Sequence, residues 1–151
     1  MSRALDDLDP EFLPLAAMLI ARCIEAGIPL MIIDTLRTPE EQAENLAKGT
    51  SWTLKSRHLP RPCPDDCPHK NEPTCPDPAH RKSRAIDLCP FLQYDLYGTD
   101  KLQWNANDPV WQKMGAVAKK IKGLKSGVWL PDKNGVLQNV DPGHFEIQES
   151  N

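Results

Sequence analysis

The sequence predicts an α+β fold, with a small antiparallel sheet, about three flanking helices and a Pro/Cys-rich insertion. Three observations predict it. Three segments of helical period carry matching start and stop residues. Short β-branched or alternating runs stand between them and read as strands. Seven of the fifteen prolines crowd between Pro60 and Pro78, so that stretch is built differently from the rest. At 151 residues the chain is long enough for one domain with its own core, expected to span 1–151 with the inserted subdomain at about 60–83.

Composition excludes several classes. Hydrophobic residues at 40% and charged residues at 26% fit a globular protein. A net charge of -3 and a pI near 5.8 leave no basic footprint for nucleic acid, so no nucleic-acid partner is expected. The longest apolar run, around Leu13 to Ile20, meets Arg22 and Glu25 and is too short to cross a bilayer, so no membrane partner is expected either. The segment Met1 to Asp7 lacks the charged-then-apolar plan of a secretory signal. Synthesis in a cytoplasm is the expectation. A monomer is expected.

Each element has a local reason. Over residues 11–26, Phe12, Leu15, Ala16, Leu19, Ile20 and Cys23 repeat at i, i+3, i+4, i+7, and Gly27 is a natural stop. Cys23 falls on that stripe and reads as core. Leu30-Met31-Ile32-Ile33 is a buried-strand candidate. It runs into Asp34-Thr35-Leu36-Arg37, where a second helix starts at once: Thr38 caps it, Pro39 takes its first position and Glu41 completes a capping box. Arg37 therefore sits at a rigid strand-to-helix junction; on these residues alone it reads as a surface arginine. Arg84 to Leu88 reads as a strand with Ile86 and Leu88 inward and Ala85 and Asp87 on the other face. Aspartate is disfavoured inside strands, which singles out Asp87. Residues 91–107 read as a loop with aromatic anchors at Phe91, Tyr94, Tyr97 and Trp104. Asp108 caps a third helix that begins at Pro109 and carries Val110, Trp111, Met114, Val117, Ala118 and Ile121 on one stripe. Val128-Trp129-Leu130 is a short strand, Lys133-Asn134-Gly135 a turn, and Cys89 a buried thiol.

The chain closes on Asp141-Pro142-Gly143-His144-Phe145-Glu146. Pro142-Gly143 is turn chemistry, with Gly tolerating left-handed φ. The strand after it places His144 and Glu146 on one face, Phe145 and Ile147 on the other. A tight turn can fold Asp141 back beside the imidazole, a pairing common in hydrolytic zinc sites. Taken alone, a lone strand histidine after Asp-Pro-Gly is more often structural.

Four stretches now stand in order: Thr35-Leu36-Arg37-Thr38-Pro39-Glu40-Glu41-Gln42, Ser56-Arg57-His58, Ala85-Ile86-Asp87 and Asp141-Pro142-Gly143-His144-Phe145-Glu146. Together they resemble the motifs of the zinc D-alanyl-D-alanine carboxypeptidases and L-alanyl-D-glutamate endopeptidases. That family includes many phage endolysins and is related in fold to the hedgehog signalling domain. The resemblance runs from about residue 10 to the end, outside the Cys-rich segment. It implies His58, Asp87 and His144 as zinc ligands, with a fourth position open as in catalytic sites. It further implies Asp141 as general base, Arg37 as stabiliser of the oxyanion, and Ser56 near the substrate. Glu146 shares the face of His144 and either orients a ligand as its outer partner or meets solvent. The family pattern keeps the first His close to the Asp, with a Gly between them. Here the insertion separates His58 from Asp87 and that Gly is absent. His69 and His80 are alternative first ligands, and His58 is preferred for its Ser56-Arg57-His58 context.

The expected function is a zinc metallopeptidase acting on peptidoglycan stem peptides, an L-alanyl-D-glutamate endopeptidase of phage or prophage endolysin type that reaches the wall after release from the cytoplasm. A D-alanyl-D-alanine carboxypeptidase is the near alternative. A non-catalytic, zinc-stabilised binding module is the alternative of another class, and Asp141 and Arg37 argue against it because pure binding needs neither.

The insertion carries Cys63-x3-Cys67, then Cys75 and His80, with His69 competing. That spacing suits a second, structural Cys3His zinc site. A disulfide among the three thiols or an unstapled loop are the other readings, and a cytoplasmic origin favours zinc. Asp65, Asp66, Glu72 and Asp77 argue against a knuckle that binds nucleic acid.

Overall fold

The computed structural model describes residues 2–49, 51, 56–71, 75–77, 80, 82–91 and 102–149. Its elements, in chain order, are α1 (Leu13–Glu25), β1 (Leu30–Asp34), α2 (Pro39–Ala47), β2 (Ala85–Pro90), α3 (Pro109–Lys119), β3 (Leu124–Ser126), β4 (Trp129–Pro131), β5 (Leu137–Asn139) and β6 (His144–Ile147). Four strands form one antiparallel sheet in the order β1-β2-β6-β3, and β4 and β5 form a separate hairpin. The fold is α+β, with the Cys-rich segment entering between α2 and β2. Among the described residues no helix is long and apolar enough to cross a membrane.

The helices form where their local signals sit. The Thr38 hydroxyl accepts from the Glu41 backbone N–H, and the Glu41 carboxylate accepts in return from the Thr38 N–H, so the capping box closes at the start of α2. The Asp108 carboxylate accepts from the Val110 N–H ahead of Pro109. One face of the sheet packs against α1 and α3. Phe12, Ala16, Leu19 and Cys23 from α1, Trp111, Met114 and Ala118 from α3, and Ile86, Leu88 and Phe145 from the sheet make the core. Cys89 is buried there as well.

Several expectations change. The strand at Leu30–Asp34 lies at the sheet edge rather than inside it, and Met31 is 42% exposed. β3 had no sequence signature; it exists because β6 offers a free edge to pair with. Trp104 is half exposed; Tyr94 and Tyr97 lie outside the described residues. The expected strand at 128–130 is shifted to Trp129–Pro131 and belongs to the hairpin, turned by Asp132 to Gly135.

Gly143 is needed for a reason other than the one its turn suggested. Its φ is not positive. Instead its carbonyl accepts from the Leu88 N–H at 2.8 Å, and a Cβ at this position would come within 2.6 Å of the Leu88 carbonyl oxygen. The Asp141–His144 turn thus lies hard against β2, which only glycine permits. Gly143→Ala is expected to lower the unfolding free energy by about 1–3 kcal/mol, the usual cost of overpacking. Gly115→Ala, in α3 with open space around its Cβ, should raise it by about 0.5–1 kcal/mol through helix propensity. Urea unfolding of both variants measures the pair; equal effects would contradict the close-contact explanation.

Candidate metal centre

On the sheet face away from the core, the register of β2 and β6 sets Asp87 directly opposite His144. Alternation along both strands sends Ile86 and Phe145 inward, so their polar neighbours must project to the other side. His58 arrives from the loop after α2. Its backbone carbonyl accepts from the Arg37 N–H at 2.8 Å, and its own N–H donates to Ser56 Oγ at 3.1 Å. Ser56 is therefore a positioning residue for His58.

Three atoms converge. His58 Nε2 lies 3.0 Å from Asp87 Oδ1 and 3.3 Å from His144 Nδ1, and His144 Nδ1 lies 3.0 Å from the same Asp87 oxygen. The outer nitrogens of both rings are already committed. His58 Nδ1–H donates to the Thr35 carbonyl at 2.7 Å, which turns the lone pair of Nε2 toward Asp87. His144 Nε2–H donates to Glu146 at 3.2 Å, which turns Nδ1 the same way. Ring lone pairs and a carboxylate pointing at one spot repel each other unless a cation, a proton or a metal, sits among them. Edges of about 3.3 Å are those of a tetrahedron of nitrogen and oxygen donors about 2.0–2.1 Å from zinc. The donor set and its spacing therefore fit a divalent metal, and His58, Asp87 and His144 form a group that could hold one.

A further ring of charge surrounds the three. Arg37 is half-buried, its side chain only 13% exposed, rather than free at the surface. Its guanidinium donates to Asp34, to Gln42 Oε1 at 2.9 Å and to Asp87 Oδ2 at 3.1 Å. It thus grips the Asp87 oxygen that does not face the histidines. Gln42 in turn donates to Ser51 Oγ at 2.6 Å. Arg57 Nε sits 3.3 Å from Glu146 Oε2, steadying the carboxylate that orients His144. Sequence reasoning did not single out Asp34, Thr35 or Gln42 as partners. An acidic residue ending an apolar strand was the only available hint, and Thr35 acts through its backbone.

The titrations follow from this packing. Burial opposes ionisation of Asp87, yet His58 and His144 outweigh it and hold its carboxyl far below the usual range. Burial likewise opposes a charge on His144, but its bonds to Asp87 and Glu146 win and raise it to about 9. For Glu146, burial is outweighed by His144 and the pKa falls. Asp141 moves the other way: burial first, then the negative charge of Asp87, raise it. Its main chain forms the turn, the His144 N–H donating to the Asp141 carbonyl at 3.3 Å.

A second group lies in the insertion, where Cys63, Cys67, Cys75 and His80 also could hold a metal ion. His69 belongs to neither group.

No protein-family profile matches this chain, and no curated protein does. Among solved structures it is similar to the Serratia marcescens L-Ala D-Glu endopeptidase ChiX, with a TM-score of 0.56 and 15% identity, over 95% of this chain and 83% of that one. At that identity the likeness is one of fold.

Metal uptake must displace the proton that His144 holds. Affinity is therefore expected to climb about tenfold per pH unit up to about 9 and then level off. That proton also stabilises the metal-free fold. Because the folded pKa is raised, this contribution is complete below the ordinary histidine value of about 6.5 and disappears as pH rises through about 9. Calorimetric titrations in buffers of differing ionisation enthalpy read the released proton. Affinity that stays constant from pH 7 to 9 would contradict the assignment.

Proposed function

We propose that this chain is a zinc-dependent peptidase of peptidoglycan stem peptides, cutting between L-alanine and D-glutamate. The observation that carries the reading is the convergence of His58, Asp87 and His144 on one face of a fold similar to that of an L-Ala D-Glu endopeptidase.

His58 Nε2, His144 Nδ1 and Asp87 Oδ1 would hold the zinc, leaving one coordination position for the reaction. Bound there, zinc supplies Lewis acidity, which polarises a peptide carbonyl and lowers the pKa of water toward ~7. The protein's own groups divide the remaining work. Asp141 takes the proton of the attacking water on its carboxylate and delivers it to the departing amide nitrogen. Burial and the negative charge of Asp87 raise its pKa above the ordinary carboxylate value, which makes it a stronger base toward the water proton. Arg37 has a double duty. Three of its five N–H groups hold Asp34, Gln42 and Asp87, and the two that remain are available to the carbonyl oxygen as negative charge builds on it. Glu146 and the Thr35 carbonyl keep both imidazoles in the tautomer that presents the correct nitrogen.

Mass spectrometry of muropeptides digested by the zinc-loaded protein tests the reading. Fragments beginning at D-glutamate are expected. Release of terminal D-alanine alone would make the enzyme a carboxypeptidase, and no cleavage of any stem peptide would overturn the proposal. Asp141→Asn should retain zinc while losing about 100- to 10,000-fold in rate. Wild-type digestion by that variant would remove Asp141 from the mechanism.

A further inference from the structure

The thiols of the insertion are buried without an apolar reason. Cys23 and Cys89 lie inside the hydrophobic core, as cysteines commonly do. Cys67 and Cys75 are also buried, each 7% exposed, yet neither belongs to that core. Among the described residues from 61 to 82 they are the only buried ones, and their neighbours are exposed prolines, aspartates and a lysine. Among its described residues no apolar cluster folds this segment. What the cysteines gather around is each other.

The spacing of the four side chains is that of a coordination shell. The candidate donor atoms of Cys63, Cys67, Cys75 and His80 all lie within 4.8 Å of one another. Cys67 Sγ and Cys75 Sγ are 3.8 Å apart, and Cys75 Sγ is 3.6 Å from His80 Nδ1. A tetrahedron with zinc–sulfur bonds of about 2.3 Å has a sulfur–sulfur edge of about 3.8 Å; replacing one sulfur by nitrogen at about 2.0–2.1 Å shortens the edge to about 3.5 Å. Both observed separations match. All five cysteines of the chain are free thiols, and a disulfide would use two of the three here while leaving the third and His80 unexplained.

The backbone is shaped to present these donors. The Cys67 N–H donates to the Pro64 carbonyl at 2.9 Å, closing the turn between the first two cysteines. The His80 N–H donates to the Asp77 carbonyl at 3.0 Å, and the Asp77 carboxylate stands 3.7 Å from His80 Nε2. The carboxylate thus stands on the far side of the ring from Nδ1, the nitrogen that faces Cys75.

We propose that Cys63, Cys67, Cys75 and His80 bind a structural zinc ion that folds the insertion between His58 and Asp87. Three soft thiolates and an imidazole select zinc over magnesium or calcium. Four protein ligands close the shell, so this ion takes no part in chemistry on a substrate. Its place is at the head of the insertion, whose neck is pinned separately by the Arg61 N–H donating to the Lys82 carbonyl at 2.9 Å. The assignment does not depend on the peptidase reading and fails or survives apart from it.

Cobalt substitution separates the two centres, because only this one contains sulfur. The reduced wild-type protein loaded with Co2+ should develop an intense thiolate-to-cobalt charge-transfer band in the near ultraviolet. His58→Ala/His144→Ala should keep that band, and Cys67→Ser/Cys75→Ser should lose it. Zinc should also shield the insertion thiols from iodoacetamide until a chelator removes it. Should the cysteine variant not fold, the wild-type spectrum and the alkylation pattern decide by themselves. A fully reduced wild-type protein without the band, thiols that alkylate equally with and without zinc, or a band that survives Cys67→Ser/Cys75→Ser would each overturn the proposal.

Discussion

The pairing of Asp87 with His144 across β2 and β6 is the constraint from which the site descends. Side chains alternate along strands, so a slip of one residue would send Asp87 and His144 into the core and bring Ile86 and Phe145 out. The core contacts of Ile86 and Phe145 therefore fix the polar cluster as firmly as any bond within it. Gly143 tightens the same constraint from the turn side by letting the chain lie against Leu88. Hydrophobic packing on one face of the sheet is what makes the geometry on the other face reproducible.

That geometry is costly on its own. Asp87 is a largely buried carboxylate, and a buried charge left without partners would be strongly destabilising. The cluster solves this by dividing its two oxygens: Oδ1 faces the two imidazoles and Oδ2 faces Arg37. Asp34 balances Arg37 from the other side, and Arg57 balances Glu146. Each residue restrains the next, so the donor atoms are held ready while the fold is still metal-free. The raised pKa of His144 expresses the same arrangement, a proton standing where a metal cation would otherwise compensate Asp87.

What could be read from the sequence follows the range of the interactions concerned. The α2 start was legible because Thr38, Pro39 and Glu41 act on their immediate neighbours. The inward and outward faces of β2 and β6 were legible for the same reason, since alternation needs only the strand itself. β3 was not: Leu124-Lys125-Ser126 has no pattern of its own and becomes a strand only by adding to β6. Arg37 read as a surface residue because its partner Asp87 is fifty positions away. Met31 read as buried because a short apolar run cannot say whether its strand lies at an edge. Of the candidate site residues, His58, Asp87 and His144 are brought together within hydrogen-bonding distance, and in the insertion His80 is the imidazole that stands beside Cys75.

The position of the insertion looks hazardous, since it separates two members of one cluster in sequence. The structure isolates it at the neck. The Arg84 N–H donates to the Arg57 carbonyl at 3.0 Å, and the Arg61 N–H donates to the Lys82 carbonyl, so the two chain segments are joined before the Cys-rich head begins. His58 lies on the body side of the second link and Asp87 on the body side of the first. Loop closure costs only the logarithm of loop length, so once the neck is tied the head can be long at little thermodynamic expense. A head whose described residues hold no apolar cluster still needs its own source of order, and the gathered thiols supply the donors for one. The departure from the expected short spacing between His58 and Asp87 is thereby physically consistent: what the site requires is a fixed separation at the neck, and the chain beyond it is free to be something else.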